Sequence, residues 1–180
     1  MSIGILQQTD IWGPPTWYLL HLWSFGFRRD NVLFYKEAFN ILGNYIPCST
    51  CRKHYNQYRK THPIHWEYLT RDDFIEWVFN FHNSVNKRLK KPLWTMDKLK
   101  KNKPIWNKKT IAKAWIIYAQ WILYKNKNTK PFKSLVEATM ASHPDLNVSE
   151  KAIGMLSKYN KWSSIKDTNK FVSKLILLGD

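Results

Sequence analysis

Apolar residues return every three or four positions through most of the chain, and no strand-turn-strand alternation recurs, which predicts an all-α protein. Glycine is scarce, with six in the chain. The pattern predicts a first helix beginning at Pro14-Pro15, residues suited to a first turn, running through Trp17, Leu20, His21 and Ser24 to stop near Gly26. A second is expected over Asn31 to Tyr45, with Leu33, Ala38, Ile41 and Leu42 apolar and Pro47 marking its end. The third starts within the Cys48–Cys51 motif and runs to about Lys60. Thr70-Arg71-Asp72-Asp73 reads as an N-cap for a fourth helix of Phe74, Trp77, Val78, Phe81, Val85 and Leu89, which Pro92 terminates. Four such helices over residues 12–92 suffice for a compact bundle. Leu93 to Lys109 is a lysine-dense connector broken by Pro104, and further amphipathic helices are expected over Thr110–Tyr124, Phe132–Ser142, Ser149–Tyr159 and Ser164–Leu178. The chain thus divides into residues 1–95, a connector 96–109 and a C-terminal helical region 110–180.

Composition narrows the class. With 180 residues, 44% of them hydrophobic, the chain can bury a real core and is not disordered. Its ten tryptophans imply an aromatic core or a site lined with flat faces for a planar ligand. The formal charge is +16, and Lys87 to Lys133 holds fifteen basic residues against one acidic residue, Asp97. That stretch suits phosphate or an acidic partner surface. Its predominance of Lys over Arg favours a solvated exterior over a reader of base edges. Met1 to Asp10 has neither the basic nor the apolar region of a secretory signal. No apolar run approaches the ~20 residues that span a bilayer, so membrane insertion is not expected.

Cys48 and Cys51 are the only cysteines, set in Pro47-Cys48-Ser49-Thr50-Cys51-Arg52-Lys53-His54. Sulfur used only as one Cys-x-x-Cys pair points to redox chemistry or metal binding. A multi-bridge scaffold is excluded, and a disulfide within this pair closes too short a ring to act as a staple. At a helix start the first sulfur lies near unpaired backbone N–H groups, which favours thiolate. Cys51, His54 and Tyr58 share one face of the third helix, His82, Val85, Asn86 and Leu89 one face of the fourth, and Trp17 and His21 one face of the first. Taken singly, such histidines and amides suit satisfied core positions. Together beside a dithiol they suit a held planar, polar group. Zinc at Cys48, Cys51, His54 and His62 or His65 is the competing reading, in a helical nucleic-acid-binding module; ten residues separate Cys51 from His62 and only two separate the last pair, short of finger spacing. A thioredoxin site needs a preceding strand, and haem attachment needs His where Arg52 stands.

Three blocks carry a resemblance: Trp12-Gly13-Pro14-Pro15-Thr16-Trp17-Tyr18-Leu19-Leu20-His21, the Pro47 to His54 block, and Trp77 through His82-Asn83-Ser84-Val85-Asn86-Lys87-Arg88-Leu89-Lys90-Lys91-Pro92. In order and spacing they resemble the Erv/ALR family of FAD-linked sulfhydryl oxidases, over about residues 12–95. The resemblance implies a four-helix bundle in residues 1–95 that holds FAD. It implies cofactor contacts from Gly13, Thr16, Trp17, His21, His54, Tyr58, Trp77, His82, Asn83, Val85, Asn86, Leu89 and Lys91. Catalysis would rest on Cys48, which meets the substrate, and Cys51, which faces the flavin. The implied reaction oxidises a dithiol partner protein, thioredoxin-like or a small Cys-pair carrier, and passes electrons through FAD to O2, giving H2O2. A homodimer is implied as well. Pro14 stands where many members have Arg, and Lys90 where Gly is common. The lean cysteine set is similar to members from large DNA viruses, which implies a cytoplasmic setting, such as a viral factory or the virion, over the mitochondrial intermembrane space.

Overall fold

The computed structural model describes Gly4, residues 8–176 and Leu178, and among them the regular structure is helical with no strand. The first helix, α1 (Thr9–Phe25), starts earlier than the Pro14-Pro15 signal predicts and carries both prolines inside it. Each proline removes one i→i−4 bond. The orphaned carbonyls belong to Asp10, which is exposed, and Ile11, while Trp12, 6% exposed, anchors the extra turn in the core. After a short 3-10 turn at Arg29–Asn31 come α2 (Val32–Tyr45) and α3 (Ser49–Thr61). Helix α4 (Arg71–Arg88) opens on a capping box, in which Thr70 Oγ1 accepts from Asp73 N and Asp73 accepts from Thr70 N, both at 3.1 Å. It ends before Pro92 because Lys90 turns left-handed (φ 55°) and Lys91 N reaches back to Asn86 O at 2.9 Å.

The connector is not wholly irregular. Thr95 caps a short helix, α5 (Met96–Lys101), which buries Leu99. The C-terminal helices follow as α6 (Lys108–Asn126), α7 (Phe132–Ala141), α8 (Leu146–Lys158) and α9 (Ile165–Ile176). Helix α8 begins before the expected Ser149 because Asp145 accepts from Val148 N at 3.2 Å.

Helix α1 packs on α4 and α6, α2 on α3 and most extensively on α7, α7 on α8, and α9 on α6. The buried apolar cluster is continuous from Trp12 to Leu175. At its centre Thr139 Oγ1 accepts from Trp23 Nε1 (3.0 Å) and Trp115 Nε1 (3.3 Å) and donates to Leu135 O (2.6 Å), tying α1, α6 and α7 at one hydroxyl. Gly26 makes the crossing of α1 and α7 possible: a Cβ there would lie 2.6 Å from Ser142 O. Among the described residues no helix is long and apolar enough to cross a membrane.

Candidate active site

Pro47 ends the approach to α3 and places Cys48 at its N-cap. Cys48 and Cys51 are joined as a disulfide, with Cα atoms 5.1 Å apart, and Cys51 N donates to Cys48 Sγ at 3.1 Å. The sulfur at the helix start therefore receives a backbone N–H together with the positive end of the helix, both of which stabilise negative charge on it. Ser49 and Thr50 beside it are exposed.

From Cys51 the inner face of α3 continues through Tyr55 and Tyr58 at helical spacing, about 6 and 10 Å along the axis. Both rings meet Phe81 of α4, at 5.4 and 5.1 Å between centroids, and Tyr58 also meets Trp77 at 5.3 Å. Phe81 lies 5.2 Å from Trp17 of α1, and Trp17 stacks on His82 at 3.9 Å with planes 6° apart. Trp94 follows at 6.1 Å from His82. A wall of flat rings thus runs from the disulfide across α3, α4 and α1. Asn83 holds its far end, donating to Trp94 O and accepting from Trp94 N, both at 2.9 Å.

His21 and His82 share a hydrogen bond of 3.0 Å between Nε2 and Nδ1. Burial, and then the facing His82, hold His21 down to about 3; burial, and then the Lys91 ammonium, hold His82 down to about 4. Both imidazoles are neutral at pH 7, so one donates and the other accepts. His21 Nδ1 is buried and has no protein partner.

The fold therefore brings together Cys48, Cys51, Trp17, His21, Tyr58, Trp77, His82 and Asn83 of the residues expected from the sequence. Val85 is half-buried and Asn86 buried on the same helix. Thr16 does not join them: it donates to Trp12 O (2.6 Å) and pairs with Tyr118 of α6 (2.8 Å), facing the C-terminal helices. His54 is exposed on α3, Leu89 is 47% exposed as α4 ends, and nothing lies within 4 Å of a Cβ built on Gly13. Phe81, Tyr55 and Trp94 complete the wall without having been singled out; Trp94 carried a signal, as an aromatic just past Lys91-Pro92. Among the described residues no three His, Cys, Asp or Glu gather as a metal site.

FAD offers a flat ring system, an adenine and a charged pyrophosphate, and the residues present fit it. Stacked indoles and imidazoles suit the planar parts. The unpartnered Nδ1 of His21 suits a polar ring edge. Lys87, Arg88, Lys90 and Lys91, all exposed where α4 ends, suit the phosphates.

The Erv1 / Alr family profile matches residues 14–107. The FAD-linked sulfhydryl oxidase of African swine fever virus is 38% identical over 86 residues, which is 46% of this chain and 71% of the viral protein. The FAD-linked sulfhydryl oxidase ERV1 of Oryza sativa is 30% identical over 90 residues, and the mitochondrial enzyme of Saccharomyces cerevisiae 33% over 84, each aligned over 43% of its own length and over 46% and 44% of this chain. No solved structure gives a significant match. The matched segment is the one that supplies the disulfide, the ring wall and the histidine pair, and on it the chain belongs to the Erv1/Alr family.

Proposed function

We propose that Cys48–Cys51 takes electrons from dithiol partner proteins and delivers them to FAD held on the ring wall, making the chain an FAD-linked sulfhydryl oxidase. The observation that carries this is the disulfide at the N-cap of α3, with a wall of rings beginning one helical turn behind it.

The steps follow thiol chemistry. A partner thiolate attacks Cys48 Sγ, the Cys48–Cys51 bond breaks, and Cys51 leaves as thiolate. The partner's second thiol then attacks the partner sulfur of the mixed disulfide, and Cys48 leaves. The N–H of Cys51 and the helix start stabilise the departing Cys48 thiolate, which makes it a good leaving group. The partner is now a disulfide, and two electrons rest on the Cys48/Cys51 dithiol. Cys51, on the face shared with Tyr55 and Tyr58, is the sulfur turned toward the wall. Bound FAD supplies the two-electron acceptor, and with O2 as terminal oxidant the balance is R(SH)2 + O2 → RS2 + H2O2. Trp17, His21, Trp77, His82, Asn83 and Lys91 would hold the cofactor, the first five by ring faces and hydrogen bonds and Lys91 by charge.

In this reading residues 1–95 carry the chemistry, 96–109 link, and 110–180 cover the bundle. Self-association stays an expectation of the resemblance, tested by sedimentation of the full chain; α6 and α7 already cover outer faces of α1 and α2.

The test is the purified protein's visible spectrum and its turnover of dithiothreitol. A yellow protein with one FAD per chain that consumes oxygen is expected. Cys48→Ser and Cys51→Ser should each abolish turnover, and only Cys51→Ser should accumulate mixed disulfides with a partner. Turnover in either variant, or a colourless protein, overturns the reading.

A further inference from the structure

Two long stretches of this chain contain no acidic residue. Residues 38–66, which include the disulfide and all of α3, hold Arg52, Lys53, Arg59 and Lys60 and no Asp or Glu. Residues 98–136, which include α6, hold eleven lysines and no Asp or Glu. Where they meet nearest the disulfide loop, Asn126, the last residue of α6, donates to the Tyr45 hydroxyl at the end of α2. Only Ile46 and Pro47 separate Tyr45 from Cys48, about 10 Å of chain at most. The end of α6 is thereby brought to the loop that presents the reactive sulfur.

Three lysines are set there. Lys53 is exposed on the first turns of α3, and Lys125 and Lys127 are exposed on either side of Asn126. Lys125 lies over the Trp121 ring at 5.2 Å, and Lys127 caps α6 in the left-handed region (φ 56°). Arg52, half-buried beside Cys51, donates to Ile46 O, a neutral acceptor, and so adds its charge to theirs. Of the two acids that line the hollow beside Asn126, Glu137 pairs with Lys133 at 3.4 Å, and Glu37 shares the hollow with Lys130. The positive end of α3 adds to the field of the lysines.

We propose that this collar selects the substrate, and that the dithiol protein it fits carries its cysteine pair on an acidic surface. The proposal rests on the oxidase reading and adds to it a role for the C-terminal region: α6, outside the segment of the bundle chemistry, supplies two of the three collar lysines. Complementary charge concentrates a partner at the reactive sulfur and raises its association rate, an effect that salt removes. An acidic protein is favoured over nucleic acid because the collar lies beside the loop that carries a group reactive with thiols, and because its exposed cations are lysines, while the one arginine, Arg52, spends a donor on Ile46 O instead of offering its full fork to a phosphate.

The experiment uses the holoenzyme and two synthetic peptides with the same Cys-x-x-Cys pair, one flanked by aspartates and one by lysines. The expected result is a kcat/KM about tenfold higher for the acidic peptide at low salt, a preference that collapses near ~1 M salt, where the screening length is about 3 Å. The variant Lys53→Glu/Lys125→Glu/Lys127→Glu should reverse the preference while dithiothreitol oxidation at pH 7 stays within about twofold, since dithiothreitol is there mostly the uncharged thiol and feels little steering. Equal use of both peptides, or an acidic preference that survives in the variant, overturns the proposal. So does single-stranded RNA binding that depends on these lysines in the absence of any peptide preference. Failure of the wild type to oxidise dithiothreitol would instead overturn the oxidase reading, so the two failures are separable.

Discussion

His21 and His82 make the fold sensitive to acid. Their ordinary value of 6.5 is lowered to about 3 and about 4 in the folded chain. Above pH 6.5 neither state binds these protons and stability is unaffected. As pH falls, the unfolded chain gains the protons first, so stability declines from about pH 6.5 down through the folded values. The expected loss is on the order of 2–4 kcal/mol at pH 5. Urea midpoints of the flavin-free protein against pH would measure it, and His21→Asn/His82→Gln should flatten the curve. A wild-type curve already flat from pH 7 to 5 would show the pair to be solvated. Lys90 stores a smaller cost. Its left-handed backbone (φ 55°) is one that glycine adopts without penalty, so Lys90→Gly should raise stability by about 0.5–1 kcal/mol in chemical denaturation.

At the scale of the element, the junction of α1 and α7 is the tightest point. Gly26→Ala sets a Cβ 2.6 Å from Ser142 O, a backbone atom that cannot swing aside, and should cost about 1–3 kcal/mol with a matching fall in Tm. An unchanged Tm would mean that the two helix ends separate freely. Such a contact is invisible in the sequence, where Gly26 reads only as a helix stop. Local signals placed α2, α3 and α4, because Pro47, the Cys48 cap and the Thr70–Asp73 box act within a few residues. The start of α1 was hidden because burial of Trp12 outweighs two lost backbone bonds, and a lysine-rich composition masked α5, whose cap is one threonine. The same division holds in the site. The spacing of Cys51 with Tyr58, and of Trp17 with His21, showed which residues share a face. That Thr16 is taken by Tyr118, and that Trp94 is pinned by Asn83, depends on partners 102 and 11 residues away.

For the whole molecule, the continuous core makes the C-terminal helices part of the structure that holds the site. Removing residues beyond Asn107 would strip the partners of Thr16, Trp23 and Tyr35, namely Tyr118, Thr139 and Ser142. The truncated chain should self-associate or precipitate through the exposed faces of α1 and α2, as sedimentation would reveal. A monomeric truncation with unchanged Tm would show that the bundle stands alone. The meeting of α1, α6 and α7 at the Thr139 hydroxyl also bears on the order of synthesis. A ribosome delivers Trp23 long before it delivers Thr139. Until then the emerging bundle keeps Cys48 and Cys51 in an unfinished fold, its cofactor wall without the helices that support it from behind. The core behind the site therefore closes late in synthesis, once Tyr118, Thr139 and Ser142 have left the ribosome to meet Thr16, Trp23 and Tyr35.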